Sequence, residues 1–347
     1  MRTSNSSPRP TASRRQFLGQ AAAAVTAAGW LGVSFGRPSL GEEAGKPSPA
    51  AIPIVDTHQH LWDLSRIRLP WLESAGALNR SFVTKDYLEA AAGTSIIKTV
   101  YMEVDTAPES KQAEADYVLE ICRRGDTPMV AAVIGGNPAG DGFARYIQQY
   151  QNSPYIKGVR EIVRRAETFS DGKFRRGVQR LGELGMSFDL CQPPDMLPEA
   201  ARFVDACPGV RFILDHCGNA DVKAFLPPAK DEPAEQVAAR RQRCDRWRRD
   251  MAALGRRENV VCKISGIIAS AVPESWRPEQ LAPIVDHCLD VFGPQRVMFA
   301  GDWPVCTRVA SLRQWVDALK QIVRDRSDAD RRRLFHDNAM RFYGLRP

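Results

Sequence analysis

Ile52-Pro53-Ile54-Val55-Asp56-Thr57-His58-Gln59-His60 runs from a short apolar segment straight into polar, chemistry-bearing side chains. Such a run predicts a buried strand over 52–57 whose far end carries function. Seven more runs of the same kind follow, at 97–104, 129–134, 156–162, 186–191, 211–215, 260–264 and 296–300. Between them lie amphipathic stretches at 111–123, 143–151, 174–184, 197–206, 236–254 and 278–292, and closing helices are expected at 317–333 and 334–343. Strands that alternate with helices pair in parallel through right-handed crossovers. Eight such units predict an α/β fold of one domain, a (β/α)8 TIM barrel, since eight parallel strands close on themselves. The alternative, an open doubly wound sheet, would carry a glycine-rich phosphate turn after an early strand. No Gly-x-Gly-x-x-Gly occurs.

The chain has 347 residues, 44% hydrophobic and 26% charged, which excludes collagen, general disorder and a multi-span membrane protein. Its net charge of +7 looks basic until it is partitioned. Residues 1–46 hold six Arg/Lys and two acids, and the remaining residues hold 42 basic against 39 acidic groups. Nucleic acid is therefore not the expected partner. The eight arginines of 240–257 are interleaved with a single aromatic, Trp247, and read as a solvated helix face.

Ahead of the barrel, Ser13-Arg14-Arg15-Gln16-Phe17-Leu18 precedes a weakly apolar, alanine-rich run from 21 to 33. A positive segment before an apolar run of this length describes an export signal, and the arginine pair with Phe-Leu resembles a twin-arginine motif. The expected organisation is a signal and linker over 1–46 and the barrel over 47–347. The expected partner is the twin-arginine export machinery, and the expected location is the periplasm; a retained membrane anchor is the alternative. Eight cysteines in an exported chain invite disulfides. They fall in strand and helix runs with no Cys-x-x-Cys pair, so reduced, buried thiols are expected.

Barrel sites form at the C-terminal ends of the strands. Period-two alternation places Asp56, His58 and His60 on one face, so that two imidazoles converge on one ion or substrate. The sixth strand ends Leu214-Asp215-His216-Cys217-Gly218 and adds a third histidine to the rim. The eighth ends Ala300-Gly301-Asp302-Trp303-Pro304, and Asp302 there suits a general base or a metal ligand. His287 and His336 sit within helical runs and read as packing or surface residues.

Asp-Thr-His-Gln-His after strand one, Asp-His-Cys-Gly after strand six and Gly-Asp-Trp-Pro after strand eight resemble the amidohydrolase superfamily. More narrowly, the chain is similar to amidohydrolase family 2, in the branch of sugar-lactone and dicarboxylic-lactone hydrolases. Lys157-Gly158-Val159-Arg160, Lys263-Ile264-Ser265-Gly266, Asn338-Ala339 and Phe342-Tyr343 extend the likeness from about Ile52 to Leu345. The resemblance implies a site at the barrel mouth where His58, His60 and His216 hold a metal or the substrate and Asp302 handles the proton. Members with two metals carry a lysine or glutamate on strand four and a histidine after strand five. Here strand four offers Arg160 and Glu161, and Gln192 stands after strand five. At most one divalent ion, Zn or Mn, is therefore expected on some subset of His58, His60, His216 and Asp302, and a metal-free site is the alternative.

The expected reaction is hydrolysis of a small lactone, a sugar-acid or dicarboxylic lactone, by water attack on the ring carbonyl. Arg160 and Lys263 are expected to meet a substrate carboxylate or carbonyl. Glu103, Gln192 and Trp62 are expected to hydrogen-bond to the ring or stack on it. Non-oxidative decarboxylation of an aromatic or unsaturated acid on the same metal-binding framework is the alternative. A sugar-acid binding protein is the non-enzymatic one, against which the full set His58, His60, His216 and Asp302 stands. Loops 64–82 and 219–235 are candidate lids, and a homo-oligomer is compatible with the sequence.

Overall fold

A computed structural model describes residues 51–347, and the expected signal at 1–46 lies outside them. Eight strands form one parallel sheet in chain order: β1 (Ile54–Gln59), β2 (Ile96–Met102), β3 (Met129–Gly135), β4 (Ile156–Ile162), β5 (Ser187–Cys191), β6 (Arg211–Leu214), β7 (Val260–Ile264) and β8 (Val297–Phe299). Every neighbouring pair from β1–β2 to β7–β8 is a parallel ladder. The barrel closes between β8 and β1 mostly beyond the end of β8. The Asp302 N–H donates to the His58 carbonyl at 2.9 Å, and the His60 N–H donates to the Trp303 carbonyl at 2.8 Å. Two side chains complete this seam. Thr57 Oγ1 donates to the Phe299 carbonyl at 2.7 Å, and Asp56 Oδ1 accepts from the Gly301 N–H at 2.7 Å.

Inward side chains fill the lower barrel. Val55, Val100, Met102, Ala131, Val133, Ile213, Val261 and Met298 form one buried cluster, and Ala339 and Tyr343 of the terminal helix Asn338–Tyr343 plug it from below. Outward side chains meet the surrounding helices in a second, larger core. Because β-branched and other apolar residues face both ways, the strands read as continuous apolar runs.

The helices at Lys111–Arg124, Gly172–Glu183, Leu197–Asp205, Ala234–Gly255 and Pro278–Phe292 lie where the periodicity predicts. Two segments differ. Thr84–Ala91 is helical although no helix is expected there. The closing helix expected at 317–333 begins instead at Leu312, where Ser311 Oγ accepts from the Gln314 N–H. That helix ends at Ile322; Ser327 caps a new short helix Asp328–Arg332, followed by a wide turn through Asp337. The charged run after Val323 keeps a helical spacing but has few apolar residues to bury, so two capped pieces replace one helix. All eight cysteines are free and buried. Among the described residues no helix is long and apolar enough to cross a membrane.

Candidate active site

β1 delivers His58 and His60, but not by simple alternation. Val55 faces the barrel interior. The Asp56 carboxylate accepts the His58 N–H at 3.1 Å, and the register shifts between Asp56 and Gln59. A bulge of this kind re-aims the side chains beyond it. Asp56 therefore does not share the site as alternation predicts. Its other oxygen accepts from the Tyr87 hydroxyl at 2.8 Å, and it serves the β8–β1 seam.

The proton positions on the two imidazoles follow from their partners. His60 Nδ1 lies 2.9 Å from the Met102 carbonyl, which only accepts, so Nδ1 carries the hydrogen and Nε2 presents a lone pair. His58 Nε2 lies 3.2 Å from Arg160 Nη1, which only donates, so the His58 hydrogen sits on Nδ1, 3.5 Å from Asp215 Oδ1. Burial, joined by His216 and Lys263, outweighs Asp215 and holds His58 well below the ordinary imidazole range. A neutral ring results, its Nε2 lone pair accepting from Arg160.

His216 follows β6 on an unusual turn. His216, Cys217, Gly218 and Asn219 all have φ between 52° and 63°, a single left-handed turn in which only Gly218 is without conformational cost. Non-glycine residues pay about 1–2 kcal/mol each for this region, and such strain gathers where a side chain must be aimed. Two residues after β7 fix the ring. Ser265 Oγ lies 2.9 Å from His216 Nδ1, and a Cβ on Gly266 would stand 2.5 Å from the His216 ring. The Lys263-Ile264-Ser265-Gly266 segment is thus the seat of His216. Ring centroids lie 4.8 Å apart for His58–His60 and 4.5 Å for His58–His216.

Asp302, also at positive φ, completes the floor. Its Oδ1 lies 3.4 Å from His60 Nε2 and 3.8 Å from His58 Nε2. Above it opens a cavity of about 350 Å³ reached by His60, His216, Asp302, Arg160 and the indoles of Trp62 and Trp71. Of the four residues expected to carry the chemistry, His60, His216 and Asp302 line this cavity, as do Arg160 and Trp62 of the expected binding set, while His58 is fully buried with its Nε2 3.8 Å from Asp302 Oδ1.

Glu103, Gln192 and Lys263 do not line this cavity. Glu103 stands behind Arg160: its Oε1 accepts from Arg160 Nε at 2.6 Å and its carbonyl from Nη2 at 2.7 Å. Burial would raise the Glu103 pKa, but Arg160 and Lys111 prevail and hold it below its usual value. Lys263 is fully buried beneath His58, with Nζ 2.6 Å from Asp189 Oδ2, 3.2 Å from Asp215 Oδ1 and 3.5 Å from His58 Nδ1. Burial alone would strip its proton; the two carboxylates retain it. The Gln192 side-chain amide is buried and finds no partner among the described residues, while the Gln192 backbone carbonyl accepts from Asn219 Nδ2. Their physical places explain the corrections: a charge on the inward side of a barrel strand meets other strands before it meets a ligand.

Sequence reasoning missed Asp189 and Asp215 as parts of this arrangement. Asp215 bridges three cations or near-cations, Lys263, Arg160 at 3.5 Å and His58. Burial opposes its ionisation, but Lys263 and His58 hold its pKa well below the usual value. The signal was present in Ser187-Phe188-Asp189-Leu190-Cys191, where a carboxylate interrupts a wholly buried strand and demands a partner.

Two sets of described side chains bring ligand atoms within 4.8 Å of one another, His58/His60/Asp302 and His58/Asp215/His216. The first offers the His60 lone pair, the Asp302 carboxylate and His58 Nε2, which here accepts from Arg160, and this donor set fits one divalent ion such as Zn or Mn. The hydrogen bond from His60 Nδ1 to Met102 is the outer contact that orients such a ligand. In the second set the Asp215 charge is already balanced by Lys263 and Arg160. The arrangement suits one ion rather than two.

Comparison with known proteins places this geometry. The Amidohydro_2 family model, described as amidohydrolase, matches residues 55–345, and the chain belongs to that family. It is an enzyme by this membership and by its complete His/Asp donor set. A relative named L-fucono-1,5-lactonase from Burkholderia multivorans is 26% identical over 305 residues, covering 84% of this chain and 96% of that one. Among solved structures, an amidohydrolase from Burkholderia multivorans with bound zinc superposes with a TM-score of 0.72 at 23% identity, over 85% of this chain and 100% of that one. The 5-carboxyvanillate decarboxylase of Sphingomonas paucimobilis shares the fold with a TM-score of 0.58 at 14% identity, over 85% of this chain and 100% of that one.

Proposed function

We propose that this protein opens a lactone of a sugar acid by hydrolysis. The observation that carries the reading is Asp302, whose carboxylate stands 3.4 Å from His60 Nε2 on the floor of a cavity walled by two indoles. Asp302 takes the proton of the attacking water and returns it to the ring oxygen that leaves. Charge developing on the carbonyl oxygen faces the Arg160 guanidinium, which Glu103 holds rigid by two contacts. His216, seated by Ser265, adds a donor or acceptor on the opposite side of the floor. Trp62 and Trp71 provide flat apolar surface for the face of a sugar ring. A divalent ion, when held by His58, His60 and Asp302, supplies Lewis-acid polarisation and a more acidic water. Glu103, Lys263 and Gln192 act from behind as supports rather than as substrate contacts.

The lactonase-named relative, aligned over nearly its whole length, supports hydrolysis; the decarboxylase neighbour supports the shared fold alone. We also propose, from the arginine pair Arg14-Arg15 and the apolar run behind it, that the enzyme works after export to the periplasm. Fractionation of cells expressing the full chain and an Arg14/Arg15→Lys variant tests the route, and retention of the wild type in the cytoplasm refutes it. The reaction is tested by proton release from a panel of sugar-acid and dicarboxylic lactones, before and after chelation, with Asp302→Asn alongside. Turnover above the spontaneous rate that the variant loses is the expected result. Carbon dioxide from carboxylic acids with no lactone turnover would overturn it in favour of decarboxylation.

A further inference from the structure

The cavity lining contains four charged side chains besides the imidazoles: Asp105, Arg160, Asp302 and Arg308. Three are accounted for. Asp105 is paired with Arg164 at 2.6 Å, Arg160 with Glu103 at 2.6 Å, and Asp302 faces His58 and His60. Arg308 has no hydrogen-bond or ion-pair partner among the described residues. It is exposed, at the end of the short turn Val305–Arg308, six residues beyond Asp302.

That turn is held firmly against the catalytic floor. Cys306 N–H donates to the Asp302 carbonyl at 2.8 Å, Thr307 N–H to the Pro304 carbonyl at 2.9 Å, and Val309 N–H to the Cys306 carbonyl at 3.1 Å. Thr307 Oγ1 also donates to the Pro304 carbonyl at 2.6 Å. The backbone that carries the Arg308 cation is therefore tied to the backbone of Asp302, and the Arg308 side chain lines the cavity mouth.

The rest of the lining is sparse in uncharged hydroxyl and amide groups. Its uncharged polar side chains, imidazoles and indoles aside, are Asn219 and Ser270, and both already donate to backbone carbonyls. A neutral hydroxylated ring is recognised by several amide and carboxylate partners. A rim cation over an aromatic wall recognises instead one anionic substituent, through the planar guanidinium fork.

We infer that Arg308 selects lactones that carry a carboxylate away from the scissile ester, so that the preferred substrate is an acidic lactone rather than its neutral counterpart. The inference rests on the lactonase reading for turnover and on Arg308 for the preference. Two lactones with the same ring, one neutral and one bearing a carboxylate, are compared by proton release for wild type, Arg308→Gln, Arg308→Lys and the distant surface control Arg324→Gln. The acidic-to-neutral ratio of kcat/KM favours the acid in wild type and in the control. It falls about ten-fold in Arg308→Gln, mainly through KM, as expected for one charge-assisted contact, and less in Arg308→Lys. A wild-type preference for the neutral ring, or a ratio that Arg308→Gln leaves alone, overturns the inference while the lactonase reading stands. Calorimetric binding of the matching non-hydrolysable cyclic ethers, acid against alcohol, keeps the two claims apart. Tighter binding of the acid that Arg308→Gln abolishes supports the inference even where neither lactone is turned over, and equal binding refutes it.

Discussion

The backbone N–H of Asp302 donates to the carbonyl of His58 at 2.9 Å, so the residues carrying the proposed base and one imidazole are joined by the bond that closes the barrel. The adjacent contact, Gly301 N–H to Asp56 Oδ1, leaves no room for a side chain. A Cβ on Gly301 would stand 2.4 Å from Asp56 Oδ2 and 2.8 Å from Leu312 Cδ1. Gly301→Ala is expected to cost about 1–3 kcal/mol by overpacking and to lower kcat as Asp302 shifts. Denaturant unfolding and initial rates measure both, and wild-type values in both would show that the seam does not position the base.

Asp302→Asn keeps the shape of the side chain and removes its basicity. Loss of about 10²–10⁴-fold in kcat, the usual share of a general base, is expected with little change in thermal midpoint. A variant that retains its rate takes Asp302 out of that role.

Lys263, Asp189 and Asp215 form a buried group in which no member is replaceable alone. Lys263→Met leaves two buried carboxylates short of their cation and is expected to destabilise by about 3–5 kcal/mol. In Lys263→Met/Asp189→Leu one buried charge of each sign is gone, and much of that stability should return. Activity should not return with it, because Asp215 then holds His58 without the ammonium 3.2 Å away. Equal stability of the single and double variants would contradict the pairing.

Glu114 gives a pH dependence of stability. Burial, followed by the neighbouring Glu103, lifts its pKa from 4.5 to about 7. Between those values the folded state keeps a proton that the unfolded chain releases. This group therefore favours folding most below pH 4.5; stability falls as pH rises to about 7 and the loss is complete above it. Glu114→Gln, which can still accept from Tyr101 and the Val104 N–H, should flatten that slope and gain about 1–3 kcal/mol at pH 8. Urea titrations at pH 5 and pH 8 supply the comparison; parallel losses in both proteins would put the titrating group elsewhere.

Metal binding at the floor should appear as stabilisation without any assay of turnover. Zinc at a hundred times its dissociation constant adds about 2.7 kcal/mol to the folded state, read as a rise in melting temperature. His60→Asn should abolish most of that rise, while His287→Asn, at a helix surface, should not. An equal rise in all three would mean that zinc binds elsewhere.

The architecture was largely legible in the sequence because each strand of a parallel barrel is apolar on both faces and ends abruptly in polar residues. β4 and β7 match the predicted bounds at both ends, and the others differ by a residue or two. His58, His60, His216 and Asp302 were legible because they stand just past those ends. What stayed hidden needed three dimensions. A one-residue bulge after Asp56 leaves no mark on a period-two pattern. The partner of Lys263 lies 74 residues away in sequence, so a cation expected to meet substrate gave no sign that another strand had already neutralised it. The break near Val323 was masked by charges that keep a helical spacing on both sides.

Thr57 and Phe299 are 242 residues apart, yet they are joined across the same seam as His58 and Asp302. The floor of the site thus straddles the seam between the two ends of the barrel, and Asp302 reaches His58 and His60 only when the ring is complete. A chain interrupted after β7 would retain most of its sheet and every imidazole of the floor, but no base. The proposed catalysis therefore doubles as a register of finished folding: a chain whose last strand has not met the first has its imidazoles but lacks Asp302 beside them.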